Sequence, residues 1–143
     1  MAVQSILALK GANVTTGSPT MTLAEVCTWL SEQRIGAIVM TDERGTLSGI
    51  ISERDIVRVI ATGGMAVLQE QAGRHMTTNV VTCTGRHNLN EVMEMMTRGR
   101  FRHLPVVEDG KLVGIVSIGD VVKHRMAEIE READEIRNYI ATA

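Results

Sequence analysis

Aromatic residues are nearly missing from this chain: one Trp, one Tyr and one Phe stand among 143 residues, 2% of the sequence. Nine Met against those three rings describe a core filled by flexible side chains. Cysteine is scarce too, and Cys27 and Cys83 form no spaced metal or redox pair. Cys27 shares helical spacing with Leu23, Val26 and Leu30 and reads as a small buried hydrophobe, whereas Cys83 follows a strand near a candidate ligand edge and its role stays open. Charge of one sign is missing as well. A net charge of −2 gives no electrostatic reason to expect nucleic acid or an anionic membrane as partner. The apolar runs have the length of buried strands and fall short of a membrane span. Residues 1–7 lack the charged start and long apolar run of a secretion signal, so a cytoplasmic protein is expected. Finally, there is no nucleophile with a base at known spacing, no Gly-x-x-x-x-Gly-Lys phosphate loop and no metal-ligand cluster; His75, His87, His103 and His124 are scattered singly. These absences argue against an enzyme and against a resident metal or catalytic cofactor.

What is present is a sentence said twice. Gly49-Ile50-Ile51-Ser52-Glu53-Arg54-Asp55 and Gly114-Ile115-Val116-Ser117-Ile118-Gly119-Asp120 both read Gly, two β-branched residues, Ser, two variable residues, Asp, at an offset of 65. Upstream the offset is 66: Asn13-Val14 matches Asn79-Val80, Thr16 matches Thr82, Leu23-Ala24-Glu25-Val26 matches Leu89-Asn90-Glu91-Val92, and Arg34 matches Arg100. One residue has therefore been lost in the second copy, in the turn around Asp42 to Gly45 or Glu108 to Gly110. A turn absorbs such a change, whereas a slip inside a strand would flip its faces. The chain is a duplication of one supersecondary unit.

At this length and with 44% hydrophobic and 22% charged residues, the chain can bury one good core or two small half-cores. Each copy reads as strand, helix, strand, strand, helix. In the first these are Val14 to Thr16, Thr22 to Arg34 (stopped by Gly36), Ala37 to Thr41, Thr46 to Ser52 and Asp55 to Ala61. In the second they are Val80 to Thr82, Asn88 to Arg98, His103 to Val107, Lys111 to Ser117 and a helix from Gly119 onward. The helix with Met93, Met95 and Met96 is expected to pack through them. The expected divisions are an N-terminal segment 1–12, a first repeat 13–62, a linker 63–75, a second repeat 76–124 and a C-terminal helix 125–143. In that last helix Met126, Ile129, Ala133, Ile136 and Ile140 are spaced by 3, 4, 3 and 4, a seam for a second subunit or for the helix's own domain.

Ser52 with Asp55 and Ser117 with Asp120 have the spacing of a helix N-cap and its third residue. A capping arrangement would account for them and stabilise each helix start by about 1 kcal/mol. Against a pure cap, Glu or Gln dominates the third position, and a shorter Asp is expected to reach the cap amide less easily. The preceding Gly permits close approach of another group, and a carboxylate at a strand-to-helix mouth can accept from both hydroxyls of a ribose. Cap and ligand remain open on the residues alone.

The two Gly-x-x-Ser-x-x-Asp segments, each followed by a β-branched pair (Ile56-Val57, Val121-Val122), together with Arg34-Ile35-Gly36-Ala37, His103-Leu104-Pro105-Val106-Val107 and His75-Met76-Thr77, resemble the cystathionine-β-synthase (CBS) domain family over residues 13 to 124. The resemblance implies an α+β fold: two β-α-β-β-α repeats packed with pseudo-twofold symmetry as a stand-alone Bateman module, with clefts between the repeats. It further implies a regulatory sensor of an adenosine-containing ligand (AMP, ADP or ATP, with NAD(H) and S-adenosylmethionine as further candidates) that works as a homodimer and signals to a separate target protein. Carried over by position, Asp55 and Asp120 would hold ribose hydroxyls beside Ser52 and Ser117. Thr16, Val80, Val81, Thr82 and Ile115 would border adenine, and Arg102, His103 and Arg54 would meet phosphate. The first copy has Gly36-Ala37 where the second has Arg102-His103. Arg54 on the first Ser-to-Asp turn, where the second copy has Gly119, could point across the cleft to a phosphate. The site around Asp120 with Arg102, His103 and Arg54 is therefore expected to be the better one. The competing reading is a protein-interaction or dimerisation module in which Ser and Asp only cap.

Overall fold

A computed structural model describes residues 1–142. The elements run α1 (Val3–Lys10), β1 (Thr16–Gly17), α2 (Leu23–Gln33), β2 (Ala37–Thr41), β3 (Leu47–Ser52), α3 (Glu53–Gly63), α4 (Leu89–Gly99), β4 (His103–Glu108), β5 (Lys111–Ser117) and α5 (Ile118–Thr142). The α+β class is as the resemblance implied, and the duplicated helix-strand-strand-helix core is as the repeat implied. Two short 3₁₀ segments, Met65–Gln69 and Ala72–Arg74, lie in the stretch expected to be a linker.

The chain folds as two compact units, one of Asn13–Thr82 with Val107–Val113, the other of Met1–Ala12, Cys83–Val106 and Gly114–Ala143. In the first, β1 runs parallel to β2 and β2 antiparallel to β3, with Val39 opposite both Thr16 and Ile50. Its core joins Leu23, Val26 and Leu30 of α2 to Ile38, Met40, Ile51, Ile56, Val67 and Ala72. These are the apolar positions of an amphipathic helix laid on a strand pair whose inner face is β-branched. Cys27 is half-buried against this cluster, and burial pushes its thiol up, away from the reactive thiolate. In the second unit Leu89, Val92 and Met96 of α4 are buried with Leu104, Val106, Val116 and Val121, while Met93 stays exposed.

The missing residue of the second copy lies in the turn. Asp42 to Thr46 closes with the Asp42 carboxylate accepting from the amides of Arg44 and Thr46, both at 2.9 Å. The second copy turns on Asp109 and Gly110 alone, at φ of 51° and 77°, the pattern of a tight two-residue hairpin.

Three expectations need correction. The strand expected at Val80 to Thr82 is a single parallel bridge between Cys83 and Val106. Pro105, which stands where the first copy has Val39, accepts from the Cys83 amide but has no N–H to extend the ladder. The strand expected at Val14 to Thr16 lies at Thr16–Gly17. The stop of α2 is Arg34 itself, in the left-handed region at φ 54°, not Gly36; Arg100 ends α4 in the same way at φ 56°. At each end the arginine amide turns back onto the last helical carbonyls, a closure made by the backbone alone.

Helix α1 was not foreseen. Val3, Ile6 and Leu7 recur at helical spacing and are buried in the second unit. The Val3 and Gln4 amides donate to the carbonyls of His87 and Gly85 at 2.8 and 3.0 Å. At its start the Met1 amino group pairs with Glu128 at 2.9 Å, and that bond holds the Glu128 carboxyl below its usual range.

Candidate functional site

Both Ser-to-Asp turns are capping boxes of matching geometry. Asp55 Oδ2 accepts from the Ser52 amide at 2.9 Å and from the Ser52 hydroxyl at 3.0 Å, while the Asp55 amide donates back to Ser52 Oγ at 3.2 Å. The same three distances recur at Ser117 and Asp120. The shorter Asp therefore reaches the cap amide without difficulty, and the expectation that it would not is wrong. Where a strand runs directly into a helix, the cap residue is still extended, at φ −105° and ψ 163° for Ser52, and this brings its amide toward the third helical carboxylate.

The strand before each turn is fixed in the same way. The first helical amide, Glu53 or Ile118, donates to the carbonyl of the residue just before the other strand, Gly36 at 2.9 Å or Arg102 at 2.8 Å. Arg102 is thereby held beside the Ser117–Asp120 turn with an exposed side chain, and His103, half-buried, opens β4. The first unit has no side chain at that point because the residue is Gly36.

The two edges differ in what lies on them. A Cβ on Gly49 would come within 2.6 Å of Met76 Sδ and 2.8 Å of the Thr77 carbonyl oxygen. Glycine there lets Thr77 pair antiparallel with Ile50, its amide and carbonyl each bonded to the other at 3.0 Å. The outward backbone groups of Ile50 are thus consumed by the protein itself. On the second unit a Cβ on Gly114 would meet Leu7 of α1 at 2.7 Å. Beyond it, the last residue of α1 reaches back: Lys10 Nζ donates to Asp120 Oδ2 at 2.6 Å and to the Ile115 carbonyl at 2.9 Å. Burial alone would raise the Asp120 carboxyl. The bonds from Lys10 and Ser117, with the Lys10 charge, outweigh it and hold the group below its ordinary value. At Asp55 the corresponding cation is the exposed Arg58 on the same helix, 3.6 Å away.

Of the residues expected at a ligand site, the second unit brings together Ser117, Asp120, Ile115, Arg102 and His103 around the β5–α5 junction. The first unit holds Ser52 and Asp55 in their cap, Arg54 exposed on the first turn of α3, and Thr16 paired with Val39. Val80 and Thr82 are half-buried and Val81 is exposed, all three ahead of the Cys83 bridge. Lys10 was missed by sequence reasoning. Its signal was faint: at the upstream offset of 66, Lys10 corresponds to Met76 of the His75-Met76-Thr77 segment. Among the described residues no helix is long and apolar enough to cross a membrane, and no group of His, Cys, Asp and Glu is arranged to hold a metal.

The geometry has counterparts. A CBS-domain containing protein from Agrobacterium tumefaciens superposes with a TM-score of 0.86 at 46% identity, covering 87% of this chain and 99% of the other. A CBS domain protein from Pyrobaculum aerophilum complexed with AMP gives 0.75 at 28% identity over 84% and 89%. The CBS domain pair of protein MJ0100, in complex with 5′-methylthioadenosine and S-adenosyl-L-methionine, gives 0.80 at 26% over 90% and 98%. The chain spans 56% or less of the length of three curated Arabidopsis thaliana relatives that it matches. The family described as CBS domain matches at residues 11–62 and 72–127, once for each copy of the repeated unit. With both copies matched and the paired fold shared, the chain belongs to the CBS domain family.

Proposed function

We propose that this chain is a non-catalytic sensor that binds an adenosine-containing ligand, with AMP, ADP or ATP foremost, at the Asp120 edge of its second unit. The observation that carries the reading is the pair of acceptors at that edge, Asp120 Oδ2 and the Ile115 carbonyl, which together hold a donor from elsewhere in the chain. A carboxylate that served only as a cap would need no further donor. An ionised carboxylate has about four acceptor positions, so capacity for ribose hydroxyls remains beyond the Ser117 bonds. Arg102 and His103 begin beside the same turn and suit a phosphate. The AMP and S-adenosylmethionine complexes of similar CBS pairs point to the same ligand class. By contrast, Ile50 at the Asp55 edge already spends both outward backbone groups on Thr77. Ligand binding signals to a target protein only insofar as it favours one arrangement of the chain over another. Calorimetric titration of protein stripped of copurified ligand, with AMP, ATP, NADH and S-adenosylmethionine, is expected to give saturable heat with at least one. Silence with all four would leave the interaction-module reading in its place.

A second reading concerns α5 and adds to the first. Met126, Ile129, Ile136, Tyr139 and Ile140 are each at least half exposed along a helix of 25 residues. This leaves the apolar seam uncovered by its own unit and favours a second copy of the chain as its cover. Ile136→Glu would place a charge in that seam and is expected to shift the mass measured by light scattering from that of two chains toward that of one. A native chain already monomeric at high micromolar concentration would refute the pairing.

A further inference from the structure

Resting on the ligand reading above, we propose that Lys10 is an internal competitor for the Asp120 edge: its ammonium occupies the two acceptors an adenosine ligand needs and must leave before the ligand binds.

The argument begins with the duplication. Lys10 and Met76 are counterparts at the upstream offset of 66, each in the segment that leads into a repeat. Both segments cover the glycine of a Gly-x-x-Ser-x-x-Asp edge, the first through Met76 itself against Gly49, the second through Leu7, one turn before Lys10, against Gly114. At the first edge the covering is backbone. Thr77 exchanges two hydrogen bonds with Ile50, and opening it would mean breaking a strand pair. At the second edge the equivalent position, Ile115, gives its carbonyl to a lysine side chain instead, and the same ammonium bonds Asp120. A side chain can swing away through rotamer changes without disturbing the fold.

What anchors α1 is separate from what covers the site. Val3, Ile6 and Leu7 are buried, the first turn is bonded to His87 and Gly85, and the amino group of Met1 is paired with Glu128. Lys10 is the last residue of the helix, where a cation suits the dipole, and its side chain keeps 30% of its surface in solvent. The helix can therefore stay docked while four methylenes release the charge.

The consequence is a tax on affinity. A ligand that binds only the open form shows its intrinsic dissociation constant divided by the open fraction. Lys10→Met makes the second lead-in resemble the first, keeps the unbranched chain and removes the competitor. Adenosine is the right probe, since it carries no phosphate to attract the lysine. The Lys10→Met chain is expected to bind adenosine about 10-fold more tightly than the native chain, a step of about 1.4 kcal/mol. Lys10→Gln, which keeps a weaker, uncharged donor, should fall between them and serves if Lys10→Met is poorly folded. A purely structural lysine would give weaker or unchanged binding on removal, so tightening is the diagnostic result. Native protein that binds AMP, with variants that bind adenosine no more tightly than it does, would overturn the competitor alone. Failure of native and variant chains alike to bind adenosine or AMP would overturn the ligand reading and the competitor with it.

Discussion

Asp120→Asn is expected to weaken AMP binding by about 100-fold, whereas Asp55→Asn changes it by no more than about threefold. The first figure follows from the proposed role of Asp120, in which two ribose hydroxyls would donate to its carboxylate. A hydrogen bond to a charged acceptor contributes about 1.5–3 kcal/mol against about 0.5–1.5 for a neutral one. Neutralising the acceptor of two such bonds removes about 2–3 kcal/mol, and each 1.4 kcal/mol is tenfold in affinity. The second figure follows from the Asp55 edge being closed by the Thr77–Ile50 pair. Both substitutions also touch a cap, a loss of about 1 kcal/mol in urea unfolding at each because the two boxes share their distances. Asp120→Asn gives up the charge pairing with Lys10 as well and should cost somewhat more. A binding difference far larger than this stability difference would separate ligand from cap. Equal binding losses, or a larger one at Asp55, would remove Asp120 from its assigned role.

The second large effect concerns the fold. Gly49→Ala is expected to destabilise the chain by about 3 kcal/mol, from overpacking and the loss of backbone hydrogen bonds. The added methyl would sit 2.8 Å from the Thr77 carbonyl oxygen as well as against Met76, and the backbone atom cannot step aside without giving up the Ile50 pair. At Gly114→Ala the nearest atoms are the two methyls and Cγ of Leu7, a side chain rather than backbone, and the cost should be about 1 kcal/mol. Thermal unfolding separates the two, since for a chain of this size about 3 kcal/mol lowers the midpoint by roughly 10 °C. An equal or larger penalty at Gly114 would mean that the Thr77 pair does not fix the first edge.

These contrasts show what the amino-acid sequence can and cannot disclose. The copies, their order and the turn that lost a residue are legible because they depend on residues near in sequence: an amphipathic period, a two-residue turn, a cap three positions from its partner. Proline's effect at position 105 was visible as a difference from Val39, though not its consequence for the strand before it. The left-handed helix ends at Arg34 and Arg100 were not legible, because that backbone region favours glycine or asparagine and Gly36 stood close enough to be read as the stop. Lys10 was illegible for a different reason: its partner lies 110 residues away, and nothing in the local pattern of α1 distinguishes it from any lysine closing a helix. The glycines were rightly read as places of close approach. That the approaching groups would belong to the chain itself could emerge only from long-range packing.

The way the sequence is dealt out between the units also constrains how the molecule is made. Apart from a seven-residue hairpin tip, one unit is contiguous, Asn13–Thr82, whereas the other is assembled from both ends of the chain. During synthesis the contiguous stretch can begin to fold while later residues are still to come. The first twelve residues cannot. Val3, Ile6 and Leu7 remain uncovered until Gly85, His87 and α4 leave the ribosome. A nascent chain paused between the two copies would thus expose an uncovered apolar segment ahead of a largely folded stretch, a species on which a chaperone would find its hold.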